Sequence, residues 1–230
     1  RFSHGGNGTQ TSALAYMGQN PPFPDANVNK TESWNGTSWT EVNNVNTARR
    51  GSMGSLGADG TSALAAGGVS GGSNITNIVE KWNGTNWTEV NDLNQERYSL
   101  AGAGIVTSGL VFGGYDSGPE DKTEYYNGTN WTEMNDLNSA RYSLAGVGGT
   151  YTTALAIAGQ LPSSSGAVTE SFNGVSWVEL NDLNRGIVAT RANGSNTNAL
   201  AYGGEGPPPA RAFTEEWSQP STSVKTVSTD

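Results

Sequence analysis

The chain has 230 residues with 12 basic and 21 acidic side chains, a formal charge of −9 at neutral pH, a sign that repels a phosphate backbone and argues against a nucleic-acid partner. It contains no cysteine, which removes disulfides, thiolate catalysis and zinc–thiolate centres. Glycine supplies 32 residues while charged residues are only 14%, a turn-rich β composition and not a helical one, and no apolar run approaches the ~20 residues of a membrane-spanning helix, so a soluble chain without membrane insertion is expected.

Taken in order, the chain starts at Arg1 with no initiator Met and no leader-like segment, as a processed or partial chain would. The first predicted strand lies in the run RFSHGGNG from Arg1, and the second in the small-residue run SALAYMG from Ser12. The third and fourth flank Asn-Gly in TESWNGTSWTE from Thr31. Asn-Gly readily supplies the positive φ angles of a tight turn, and Trp, Thr and Val favour strands, so this is a β-hairpin.

The same four elements, A to D, then recur. The A runs are RRGSMGSLG from Arg49, RYSLAGAG from Arg97, RYSLAGVG from Arg141 and RGIVATRANG from Arg185. The B runs are SALAAGG from Ser62, GLVFGG from Gly109, ALAIAG from Ala154 and ALAYGG from Ala199. The C–D hairpins are VEKWNGTNWTE from Val79, TEYYNGTNWTE from Thr123 and TESFNGVSWVE from Thr169, with a degenerate TEEW from Thr214. The D-strand tryptophans Trp39, Trp87, Trp131 and Trp177 are 48, 44 and 46 residues apart. Four strands per unit at this period indicate propeller blades. The units run 1–46, 47–94, 95–138, 139–184 and 185–230 within one domain, and the D strand of the last falls on Ser223 to Val227, where Lys225 would protect an edge.

The order of Arg, small apolar run, Gly-Gly, Glu-x-aromatic and spaced Trp resembles the kelch repeat over essentially the whole chain. Gly-Gly stands at Gly67-Gly68, Gly113-Gly114 and Gly203-Gly204, but is Met17-Gly18 and Ala158-Gly159 in two copies. The resemblance implies four-stranded propeller blades. The wording WNGTxWTEVNDLNxxR is also similar to kelch-like repeats in structural proteins of marine bacteriophages. The fold class expected is therefore all-β, a β-propeller of five four-stranded kelch-like blades.

Within such blades the Gly, Ala and Ser of A and B suit the crowded axis, and the rings of C and D suit the gaps between blades. The four D-strand tryptophans are expected in the core, each burying about 150–250 Å². An Arg opening strand A (Arg1, Arg49 or Arg50, Arg97, Arg141, Arg185) and a Glu in strand C (Glu32, Glu80, Glu124, Glu170, Glu215) recur once per unit. Charges present in every copy do not mark one catalytic site, so Glu–Arg pairing at each blade junction is expected. The NNVN and NDLN runs from Asn43, Asn91, Asn135 and Asn181 read as turns holding a buried Val or Leu, with too few carboxylates for a calcium loop. Asn-x-Ser/Thr triplets such as those at Asn35, Asn83, Asn86, Asn127 and Asn130 are accounted for by the hairpin itself.

The inventory offers little to an enzyme. The single His4 lies in a Gly-rich strand, so neither a Ser-His-Asp set nor a copper site can be assembled around it. Sialidase-like Asp boxes are absent, and no acidic pair is singled out for glycoside hydrolysis. No catalytic residue, cofactor or metal is expected. The B–C connections vary most between copies and share one face of the disc with the D–A connections. Recognition commonly uses such loops on a rigid scaffold, and Phe23, Tyr115, Asp116 and Arg211 are the candidate ligand-binding residues there. The expected function is a non-enzymatic binding or structural module of a virion or extracellular surface, whose partner is a protein or a glycan. The alternatives are an intracellular kelch-type adaptor for a peptide and, third, a glycan-acting enzyme.

Overall fold

A computed structural model of the chain describes residues 1–21, 27–51, 54–206 and 214–219. Its sheets follow chain order. Blade 1 is formed by β1 (Gly5–Gly8), β2 (Ala13–Tyr16), β3 (Thr31–Trp34) and β4 (Trp39–Val42). Blade 2 begins with β5 (Gly54–Asp59) and β6 (Ser62–Ala66), detours through a small ribbon of β7 (Val69–Ser70) and β8 (Asn74–Ile75), and ends with β9 (Val79–Trp82) and β10 (Trp87–Glu89). Blade 3 comprises β11 (Ala101–Ile105), β12 (Ser108–Phe112), β13 (Thr123–Tyr126) and β14 (Trp131–Glu133). Blade 4 comprises β15 (Ala145–Val147), β16 (Leu155–Gln160), β17 (Ser165–Phe172) and β18 (Trp177–Glu179). Blade 5 contributes β19 (Arg191–Gly194), β20 (Asn198–Tyr202) and β21 (Thr214–Ser218) among the described residues. All pairings are antiparallel, and the whole is a five-bladed β-propeller. The expected last strand, Ser223 to Val227, lies outside the described residues, as do Phe23 and Arg211.

The hairpins form as the sequence predicts, but by a different turn chemistry. Only the glycines take positive φ, 92° at Gly36 and 95° at Gly84. The asparagine acts through its side chain instead: Asn35 Oδ1 accepts the amides of Thr37 and Ser38 at 2.9 and 3.0 Å, and Asn83, Asn127 and Asn173 do the same. This Asx turn sets the register that faces Trp34 with Trp39 and Trp82 with Trp87.

The innermost strands β1, β5, β11, β15 and β19 pack on one another in that order around the axis. They approach so closely that a Cβ on Gly146 would lie 2.6 Å from the Gly102 carbonyl oxygen and 2.9 Å from the Phe112 ring, which is why this layer is written in glycine. The departures from Gly-Gly keep the glycine backbone: Met17 and Ala158 sit at φ 58°, beside 71° at Gly67 and 63° at Gly113.

Four apolar layers fill the spaces between successive blades. Leu14, Tyr16 and Met17 of blade 1 meet Ala63, Ala65, Trp82 and Trp87 of blade 2; equivalent layers join blades 2 and 3, 3 and 4, and 4 and 5. In the first three, the outer-strand tryptophan reaches back onto the preceding blade, and in the fourth the ring is Trp217 of β21. Trp87 stacks edge-on against Tyr16 at 4.8 Å and Trp177 against Phe112 at 4.8 Å, while their indole N–H groups donate to Thr31 and Thr123 Oγ1. Trp39 departs from the expected core position. It is 50% exposed, since none of the described residues packs on it as Tyr16 packs on Trp87.

Candidate functional site

Each blade junction is built around the repeated charges. Arg49 reaches Glu80 at 3.1 Å and Arg97 reaches Glu124 at 2.8 Å, with Arg141 paired to Glu170, all with side chains at most 3% exposed. Burial pushes the Arg49 and Arg97 guanidinium groups down from their ordinary range, opposed by the neighbouring carboxylates. The same glutamates also hold the end of the preceding blade: Glu124 Oε2 accepts from the backbone and side-chain nitrogens of Asn94, both at 2.8 Å, and Glu170 does so from Asn138. These charges are thus engaged in structure. Arg1 and Glu32 form the same pair at 2.7 Å in blade 1, but there the Glu32 side chain is 45% exposed.

Arg185 does not take the arginine place in blade 5. Ile187 does: its carbonyl accepts from Gly159 as the carbonyls of Arg97 and Arg141 accept from Gly68 and Gly114, and it is fully buried. Aligning on the first Arg of the run placed the register two residues early. Glu215 nonetheless keeps its bonds to Asn184 Nδ2 and N, at 2.8 and 2.9 Å.

The turn between blades uses all four of its residues. In NDLN from Asn91, the Asn91 side chain donates to Asn130 Oδ1 of the next hairpin, and Asp92 caps the Val79 amide at 3.0 Å. Leu93 is buried, and Asn94 bonds Glu124 as above. Asp136 and Asp182 repeat the cap on Thr123 and Thr169, and Asn44 fills it in blade 1. Among the described residues, no group of three or more His, Cys, Asp or Glu is placed to hold a metal ion.

On the loop face, one short bridge per blade joins the residue after the Arg position to the residue after Gly-Gly: Phe2 to Gln19, Arg50 to Val69, Tyr98 to Tyr115, Tyr142 to Gln160 and Val188 to Glu205. The backbone is constant at these places while the side chains differ, so they carry the individuality of each blade. Blades 3 and 4 bring three tyrosines together here. Tyr98 and Tyr115 are 5.5 Å apart between ring centroids, and Tyr115 and Tyr142 are 5.0 Å apart, edge to face. Tyr115 was legible as a candidate, but Tyr98 and Tyr142 were hidden inside the repeated text RYSLAG, which reads as scaffold. All three rings are half-buried.

Partial burial and the two neighbouring rings raise the Tyr98 phenol above its usual range, opposed by the charge of Arg50. Arg50 Nη1 donates to Asn27 Oδ1 at 2.9 Å, and Asn27 Nδ2 to the Val69 carbonyl at 3.0 Å, so a cation is fixed beside the rings. The loop carrying Asp116 is tied down: Asp116 N donates to Gly118 O, Glu120 N to Gly114 O and Arg141 N to Glu120 O, at 3.1, 2.8 and 3.0 Å. At the axis, His4 lines the channel with Gly102, Gly146 and Arg191. Desolvation, with help from the charges of Arg1 and Arg191, lowers its pKa below the ordinary imidazole value.

No family model and no curated protein matches the chain. Among solved structures, one titled "Structure of YjhT" is similar over 93% of this chain and 80% of its own, with a TM-score of 0.76 and 11% identity. A likeness at that identity concerns the fold, and it agrees with a propeller.

Proposed function

We propose that this chain is a non-enzymatic, kelch-type binding module of a virion or cell surface, and that it holds a glycan on its loop face. The observation that carries this reading is the cluster of Tyr98, Tyr115 and Tyr142 between blades 3 and 4. Aromatic faces match the apolar C–H faces of a sugar ring, and a few fixed polar groups beside them set its orientation. Arg50 with its partner Asn27, and Asp116 next in the chain to Tyr115, supply polar groups beside the cluster. A loop already held by its own backbone bonds loses little entropy on binding. The non-enzymatic reading is supported by the use of the charges at Glu124 and Glu170, whose carboxylates are each taken up by an Arg and an Asn.

Glycan-array screening followed by calorimetry tests the proposal. Binding without turnover, weakened at least tenfold by Tyr98→Ala or Tyr142→Ala in a protein of unchanged fold, is the expected result. Capture of a single peptide-bearing partner by the same face would favour an adaptor, and release of product from a polysaccharide would favour an enzyme; either overturns the reading.

A further inference from the structure

We infer that the seam between blade 5 and blade 1 is a docking face for one further repeat of this chain's own pattern, seated as a sixth blade. The inference is independent of what the loop face binds. At all four internal junctions the strand-C glutamate is held by the preceding blade's asparagine and the loop amides bond from blade to blade, and at the first three an outer-strand tryptophan also lies on the preceding blade. Gly51 N donates to Ser3 O, Ser99 N to Gly51 O, Ser143 N to Ser99 O and Ala189 N to Ser143 O, at 2.7 to 3.2 Å.

At the seam, each face displays half of this joint. On blade 1, Trp39 is half-exposed and Glu32 is met by Arg1, with no asparagine from another blade on it among the described residues. On blade 5, β20 alternates strictly: Ala199 and Ala201 are buried against blade 4, while Leu200 and Tyr202 are 42% and 41% exposed. Tyr202 follows the same Gly-Gly register as Tyr16 and Phe112, the residues that receive Trp87 and Trp177. The side that should receive an indole is open, and so is the indole that should be received.

Among the described residues the two halves are not joined as the four internal junctions are. The inner strands β19 and β1 do not pack as the four consecutive inner pairs do, and the bond from Ser3 N to Ala189 O that would close the amide series is absent among the described residues. The internal junctions already fix the curvature, so the complementary object is one that offers a tryptophan on the side facing blade 5 and an asparagine with a strand-B aromatic on the side facing blade 1. A repeat of this pattern offers both. Burying the exposed rings in the same way as at the existing junctions continues an interface the fold already uses four times.

The chain has no cysteine, so a single Leu200→Cys variant reports on the seam through its rate of maleimide labelling. The test compares the 230-residue chain with a fusion in which a copy of residues 95–140 is joined directly ahead of Arg1, which gives Arg1 the register of Arg141. The expected result is rapid labelling of a monomer in the first and at least tenfold slower labelling in the second. Protection should be lost when the added copy carries Ala at the place of Trp131, with the fusion otherwise folded by circular dichroism. Slow labelling of the monomeric 230-residue chain would show that the ring closes on itself and would overturn the inference. So would equal labelling of the folded fusion, or protection that rises with protein concentration and marks a second copy as occupant.

Discussion

Arg97 and Glu124 meet at 2.8 Å in a space closed to water, and the carboxylate that receives the guanidinium also receives Asn94 from the neighbouring blade. One anion therefore ties a strand, the loop entering its blade and the end of the blade before. The Nε of Arg97 lies buried without a hydrogen-bond partner, as do those of Arg49 and Arg141, so the pair is built for geometry more than for energy. Glu124→Ala should cost about 3–5 kcal/mol in urea unfolding, because it strands a buried cation. The double change Arg97→Met with Glu124→Leu should cost less than Glu124→Ala alone. A double variant that is additive would show that the two charges act separately.

Trp87 and Trp39 occupy the same place in the repeat but not the same environment. Trp87→Ala should destabilise by about 3–5 kcal/mol. Trp39→Ala should stay within about 1 kcal/mol in the same 230-residue chain, since little of what it touches is withdrawn from water. Paired chemical denaturation curves decide this, and equal losses would mean that Trp39 is covered in solution.

Asp136 caps the Thr123 amide at 3.2 Å and meets Lys122 at 2.9 Å. Blade 1 makes the same cap with Asn44 at 3.0 Å, so the cap needs an acceptor and not a charge. Asp136→Ala should cost about 1–2 kcal/mol, and Asp136→Asn clearly less, since the ion pair it removes is partly exposed and weak. Thermal unfolding of the two variants separates these outcomes.

Burial pushes the Tyr16 phenol up to about 12 from the usual 10. A raised pKa in the folded state means that the folded chain keeps its proton longer. The associated stability is complete below pH 10 and is lost as pH rises through 12. Relative to Tyr16→Phe, the unaltered protein should lose about 2–3 kcal/mol over that interval, at 1.36 kcal/mol per pK unit. Urea midpoints of both proteins at stepped pH provide the measurement, and parallel curves would contradict it.

The blade count and hairpin positions could be read from the sequence because Asn-Gly and the spaced Trp are local signals that need no partner to be recognised. What escaped was relational. Trp39 has the same neighbours in sequence as Trp87, and only its place at one end of the series exposes it. Ile187 replaces an arginine that the text supplies two residues earlier at Arg185, and only the backbone bond from Gly159 reveals the register. Tyr98 and Tyr142 repeat one motif, so neither stands out until Tyr115 is seen between them. The Asn-Gly turn is legible from the positive φ angles expected of the pair, of which only the glycine takes one, while the asparagine's contribution through Oδ1 depends on a four-residue loop that propensity alone does not distinguish.

The amide series from Ser3 through Gly51, Ser99 and Ser143 to Ala189 runs in one direction and has two ends. A structure held by nearest neighbours frays from its ends. Hydrogen exchange should therefore be slowest in β11, which has a blade packed on both sides, and progressively faster toward β1 and β19. The rank order of local opening expected here follows distance from the seam, which places the Tyr98, Tyr115 and Tyr142 cluster in the part expected to open most slowly.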